Sequence, residues 1–298
     1  MKKIISSLLL LVASSSVMAD LNIFACEPEW ASLSQELGGD KVTVFSATTG
    51  LQDPHYIQAR PSLIAKARRA DLLVCTGAEL ESGWLPLLQR KAGNAAIQTG
   101  AAGHFMATDH VNLLEIPSSL DRSQGDVHAA GNPHIQTSPL AILQVAKALT
   151  LRMQALDANN ADFYQQHWQG FSQRWQAAIE RWQQQALPLK GSTAVVQHAS
   201  WPYLFDWLNI VQVAVLERKS GVQPTVDDLN NVLKQLHVTP VKVVIHAAYQ
   251  SPRATNWLVD KTSINKVTLP FTVGGNEQSN DLFSLFDNTI QHLLDANK

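Results

Sequence analysis

The feature that most limits the architecture is a change of rhythm in the middle of the chain. From Leu21, short apolar runs alternate with amphipathic ones. Strands are expected at Leu21–Cys26, Lys41–Phe45 and Leu72–Cys75, and helices at Glu29–Leu37, Arg60–Ala70 and Trp84–Lys91. Gly38-Gly39 stands where the first helix needs a C-cap, and Pro61 lies in the first turn of the second. From Pro139 the strands stop, and Leu140–Leu156 and Asn160 to about Gln185 read as two consecutive helices. After Leu187-Pro188 the alternation returns. Strands are expected at Thr193–His198, Val211–Leu216, Val241–His246 and Lys266–Leu269, and helices at Trp201–Leu208, Val226–His237, Pro252–Val259 and Leu282–Leu294. Strands separated by helices form parallel sheets through crossover connections. The expected fold is therefore α/β: an N-terminal lobe over residues 20–138, a helical bridge over 139–187 and a C-terminal lobe over 188–298. Ligand sites commonly lie in the cleft between such lobes.

The longer bridge helix carries Phe163, Trp168, Phe171, Trp175, Ile179 and Trp182 on one apolar stripe at helical period. At ~1.5 Å per residue it would run about 39 Å, enough to serve as a rigid spine between two lobes. Its tryptophans are read as core packing rather than as a ligand surface.

Two segments stand outside this rhythm. Residues 93–132 hold glycines, polar residues and His104, His110 and His128, and form a long irregular connection of the kind that often carries function. At the N-terminus, Met1-Lys2-Lys3 precedes a compact apolar run from Ile4 to Val12, too short to span a bilayer, and then Val17-Met18-Ala19. Residues 1–19 are expected to be a signal peptide cleaved after Ala19. No cysteine stands at that junction to take a lipid anchor, so a soluble periplasmic protein is expected. The formal net charge of −2, without acidic or basic blocks, argues against nucleic acid and anionic membranes as partners. The two cysteines, Cys26 and Cys75, end strand-like runs. In an exported protein they are expected to form a disulfide, the alternative being two buried thiols.

The chemistry rests on histidines. Asp53-Pro54-His55 and Asn132-Pro133-His134 each end a loop with Pro-His, and proline's fixed φ sets each imidazole at a defined place. His198 ends an apolar strand of the second lobe. Three neutral imidazoles with an open fourth position suit zinc. The same three with a bound water would also suit a zinc hydrolase, for which Glu79 is the nearest acid to act as base. An exported adhesin on the same fold is a third reading.

Asp53-Pro54-His55 with Arg60-Pro61 and Ala70-Asp71-Leu72-Leu73-Val74, then Thr76-Gly77-Ala78-Glu79-Leu80-Glu81, Asn132-Pro133-His134 with Ser138-Pro139, and Gln197-His198 with Tyr203-Leu204 together resemble the periplasmic solute-binding proteins of zinc and manganese ABC transporters. The resemblance covers the whole chain after residue 19. It implies two (β/α) lobes joined by one long rigid helix, and His55, His134 and His198 as metal ligands in the cleft. It also implies capture of zinc, with manganese less favoured, by a monomer that delivers the ion to an inner-membrane permease. Two acids usual in the family are replaced here by Asn132 and Ser138. The family's fourth ligand is commonly an aspartate just after the last strand, where this chain reads Leu269-Pro270-Phe271-Thr272-Val273-Gly274-Gly275. Water, Asp53, Glu79, His128 and His246 are the open choices for that position.

Overall fold

The protein is described here by a computed structural model covering residues 20–119, 125, 128–219 and 221–298. The expected signal peptide, 1–19, lies outside the described residues. The first half contains β1 (Leu21–Ala25), α1 (Pro28–Gly38), β2 (Val42–Ser46), α2 (Pro61–Ala67), β3 (Leu72–Cys75), α3 (Leu85–Ala92) and β4 (His104–Met106). The bridge holds α4 (Pro139–Leu156) and α5 (Ala161–Gln185). The second half contains β5 (Thr193–Val196), α6 (Pro202–Leu208), β6 (Val211–Val215), α7 (Val226–Val238), β7 (Val243–Ala247), α8 (Arg253–Lys261), β8 (Asn265–Leu269) and α9 (Leu282–Ala296).

Each half forms a four-stranded parallel sheet, ordered β2-β1-β3-β4 in the first and β6-β5-β7-β8 in the second. In both, the chain starts at an inner strand, steps outward and then jumps back across it. Such a reversal leaves a crevice at the carboxyl ends of the strands, where loops can converge on a ligand. His55 follows β2, and His198 follows β5.

Three elements depart from the sequence expectation. β4 lies within the connection expected to be irregular. At three residues it is too short to show alternation, and it is recognised only by its pairing of His104 with Leu73. The helix expected over Arg60–Ala70 is confined to Pro61–Ala67. The strand expected to reach His198 ends at Val196, so His198 is presented from the following loop.

α5 is the spine. It packs against α4, α1 and α9, and so touches both lobes. Phe171, Trp175, Ile179 and Trp182 are buried in one continuous core that includes residues of both sheets. Polar contacts fix its ends. Arg174 pairs with Glu36 of α1, whose main-chain carbonyl also lies 3.0 Å from the His167 ring. Trp182 Nε1 and Arg181 both donate to Asp287 Oδ1 of α9, at 2.6 and 2.8 Å.

Cys26 and Cys75 are joined in a disulfide, with their Cα atoms 4.8 Å apart. They stand at the same edge of the neighbouring strands β1 and β3, and the cross-link spans a sequence separation of 49 residues. On chain-entropy grounds, closing a loop of that size contributes about 4 kcal/mol.

Beside it lie three carboxyl groups, Glu27, Glu29 and Glu81, each only 2% exposed. Burial lifts all three above the usual carboxylate range, and in Glu27 repulsion from Glu81 adds to it. Glu27 Oε2 accepts from Thr76 Oγ1 at 3.1 Å, and Glu81 accepts the Thr76 N–H at 2.7 Å. Glu29, pushed up to about 7, accepts a hydrogen bond from Thr272 Oγ1, in the loop after β8. That contact crosses from the first lobe to the second. The unfolded chain releases the Glu29 proton near 4.5, whereas the folded protein keeps it to about 7. Between those values folding takes up a proton, so stability falls as pH rises. Glutamine at this position keeps the acceptor for Thr272 and has no proton to lose. Glu29→Gln is therefore expected to gain stability relative to the parent between pH 5 and pH 8, by on the order of 2 kcal/mol at ~1.4 kcal/mol per pH unit. Denaturant titrations of metal-free protein at the two pH values measure this, and equal differences at both would refute the assignment.

Candidate metal centre

Each of the three expected histidines is presented by a local device. Asp53 Oδ1 accepts the His55 main-chain N–H at 3.0 Å and the His55 Nδ1–H at 2.8 Å. One carboxylate oxygen thus fixes both the turn and the ring tautomer, and leaves Nε2 to face the cleft. Burial works against the charge on Asp53, but the His55 hydrogen bonds outweigh it and hold the carboxyl below its usual range. Trp84 braces the loop from behind, donating its indole N–H to the Pro54 carbonyl at 2.9 Å.

His134 is set by an analogous turn in which Asn132 Oδ1 accepts its main-chain N–H at 3.0 Å. The Asn132 amide nitrogen then donates twice, to Glu115 Oε2 at 2.9 Å and to the Ala199 carbonyl at 2.8 Å. Tyr203 donates its hydroxyl to the Asn132 carbonyl at 2.6 Å. An aspartate at 132 would keep the first bond, lose the two donations and set a second carboxylate against Glu115. The asparagine that departs from the family pattern is therefore the residue type this setting requires, and it links the His134 turn to the residue after His198. Ser138, the second departure, caps α4 by accepting from the Ala141 N–H.

His198 donates Nδ1–H to Glu217 Oε2 at 2.8 Å. Glu217 is buried and also accepts the Gly221 N–H at 3.1 Å. Sequence reasoning passed over Glu217. Its signal is positional: it is the charged residue just beyond β6, the strand beside β5.

The rings of His55, His134 and His198 stand 5.6 to 6.0 Å apart, and one donor atom from each lies within 4.8 Å of the others. His128 joins them. Its ring is 5.4 Å from that of His55 and 6.4 Å from that of His134, and the Nε2 atoms of His55 and His128 are 3.4 Å apart. Two nitrogens sharing a tetrahedral zinc at ~2.05 Å would be ~3.3 Å apart. His134 is 1% exposed, and neither of its ring nitrogens has a hydrogen-bond partner among the described residues. Buried polar groups are almost always paired, so a ring with two orphaned nitrogens facing other imidazoles fits a cation. Burial, reinforced by the neighbouring imidazoles, holds its pKa well below the ordinary histidine value, so it stays neutral and ready to ligate.

Among the fourth-position choices, the structure brings His128 to the cluster. His246 is engaged instead with Thr268 Oγ1 of β8, at 3.1 Å. Asp53 is spent on His55, and Glu79 Oε2 accepts the Ala129 N–H at 2.9 Å. The wall opposite is apolar, with Phe271 of the post-β8 loop placing its ring 5.3 Å from His134.

A family model described as zinc-uptake complex component A periplasmic (ZnuA) matches residues 23–296. The manganese ABC transporter substrate-binding lipoprotein PsaA of Streptococcus pneumoniae is 24% identical over 259 residues, which is 81% of this chain and 80% of the relative. The metal ABC transporter substrate-binding lipoprotein SloC of Streptococcus mutans is 20% identical over 82% of this chain and 74% of its own length. Among solved structures, a crystal structure of ZnuA superposes with a TM-score of 0.78 at 20% identity, covering 94% of this chain and all of that one. The manganese-bound periplasmic metal binding protein of Candidatus Liberibacter asiaticus gives 0.76 at 15%, covering 93% and 99%. These structural likenesses support the two-lobed fold.

Proposed function

This chain belongs to the periplasmic family of zinc-uptake complex component A, and we propose from that premise that it captures zinc, in preference to manganese, and hands it to the permease of an ABC importer. Its relatives carry substrates to transporters rather than convert them, and the chain is a binding protein, not an enzyme. In this reading it works as a monomer in the periplasm, after export on residues 1–19. His55, His134 and His198 are ligands, and His128 is the fourth. His55 and His134 belong to the lobe over 20–138 and His198 to the lobe over 188–298. A bound ion would therefore tie the lobes together across the bridge of 139–187.

The observation that supports zinc is the donor set. Three imidazoles converge with a fourth, His128, beside His55, and two of them are backed by carboxylates that face their outer nitrogens. Manganese favours carboxylate oxygens, whereas imidazole suits zinc. Asp53 and Glu217 raise ligand basicity from outside without entering the site.

The test is competitive titration of metal-free protein with zinc and with manganese against chelators of known affinity. One tight zinc site is expected, with manganese weaker by at least about a hundredfold in line with the order of divalent-metal affinities. Manganese binding as tight as zinc would overturn the zinc reading and leave metal capture standing.

A further inference from the structure

His55 is held from behind by Asp53 of its own loop and His198 by Glu217 beyond β6, and His128 too has a supporting contact from elsewhere in the chain. Its neighbour Ala129 donates its main-chain N–H to Glu79 Oε2 at 2.9 Å. Glu79 reaches that position through an unusual turn after β3. Gly77, Ala78 and Glu79 all have positive φ, at 87°, 47° and 67°. Non-glycine residues adopt that region at a cost and persist there only when the surroundings hold them. The buried Glu81 carboxylate does the holding, accepting the Thr76 N–H at 2.7 Å and the Gly77 N–H at 3.1 Å. Gly77 is obligatory as well, since a side chain there would meet Thr108 Oγ1 at 2.5 Å. The turn thus aims one exposed carboxylate at one main-chain N–H beside His128. Glu79, His55, His128 and Gly125 line a single cavity of about 670 Å³.

We infer that Glu79 is a positioning residue for the fourth ligand: by accepting the Ala129 N–H it holds His128 against His55 and so sets how long the ion stays bound. The inference rests on the reading of His128 as a ligand. Glu79 touches no metal donor atom in this arrangement; it acts only through the main chain next to His128.

The experiment is a double-mutant cycle on the full chain with zinc, read as affinity and as the rate of release to a chelator. Cobalt(II) absorption serves as a second readout of the ligand set. Glu79→Ala is expected to weaken zinc binding roughly tenfold, the lower end of losses from removing an outer-shell partner. It is also expected to shift the cobalt spectrum toward that of His128→Ala. Glu79→Gln, which keeps an acceptor oxygen, should restore most of the affinity. In the His128→Ala background, Glu79→Ala should change nothing further. A Glu79→Ala effect of equal size in that background would overturn the inference, because Glu79 would then act independently of His128. So would parental affinity in Glu79→Ala alongside weakened His128→Ala. Parental affinity in His128→Ala would instead overturn the reading of His128 as a ligand, and this inference with it.

Discussion

His134→Ala is expected to abolish tight zinc binding, lowering affinity by more than the ten- to hundredfold typical of losing an outer-shell partner. His134 sits deepest of the four histidines, 1% exposed, and its ring packs against those of His55, His198 and Phe271. No carboxylate in the segment after β8 stands ready to replace it, because that wall is Phe271. The imidazole already holds its neutral form and has no other partner for its ring nitrogens among the described residues. The metal-free variant should remain folded, since the side chain removed contributes no hydrogen bond. The rise in melting temperature on adding zinc should disappear. In the parent, zinc at a thousand times its dissociation constant would add about 4 kcal/mol. A zinc-dependent rise of parental size in His134→Ala would show that the ion binds elsewhere.

Trp175→Ala is expected to cost about 4 kcal/mol of folding stability, within the range of 3–5 for truncating a buried aromatic. Trp175 is fully buried on α5. Its ring stacks 5.2 Å from Phe171 and makes edge contacts with Trp182, Phe283 and Phe286 at 5.1, 4.8 and 5.6 Å. Its indole N–H donates to the Pro139 carbonyl at 2.8 Å, at the start of α4. Because α5 packs on α1 and α9 together, the cavity would weaken both lobes at once, and denaturation should remain a single transition at lower denaturant. Trp175→Phe keeps the ring contacts and loses the donor, so it should cost distinctly less. A loss below about 1 kcal/mol for the alanine variant would remove the spine from its assigned place in the core.

The long helix was legible because a stripe with helical period over that length has few other readings, and α5 begins one residue after the expected Asn160. The three histidines were legible because proline or a strand end marks each one. β4 escaped notice because three residues cannot display a period. His128 was one of five choices for the fourth position, and the segment around it has no periodicity to place it. Glu217 and the double donation from Asn132 escaped for another reason. The hydrogen bonds that define them join residues 17 to 67 apart in sequence. Such contacts exist only once two sheets and a bridge have brought separate loops together. Ser138 is the converse case. It departs from the family pattern yet performs the capping that an aspartate would, since either side chain accepts the same main-chain N–H.

The asparagine beside His134 also bears on how the protein ages. Asparagine side chains lose ammonia when the main-chain nitrogen of the next residue attacks the amide carbon and closes a five-membered ring. The product is a carboxylate, which at position 132 would face Glu115 and let go of Ala199. The next residue here is Pro133, whose ring nitrogen carries no hydrogen and cannot close that ring. The Pro-His pair that aims the imidazole therefore also protects the amide that supports it from spontaneous chemical decay.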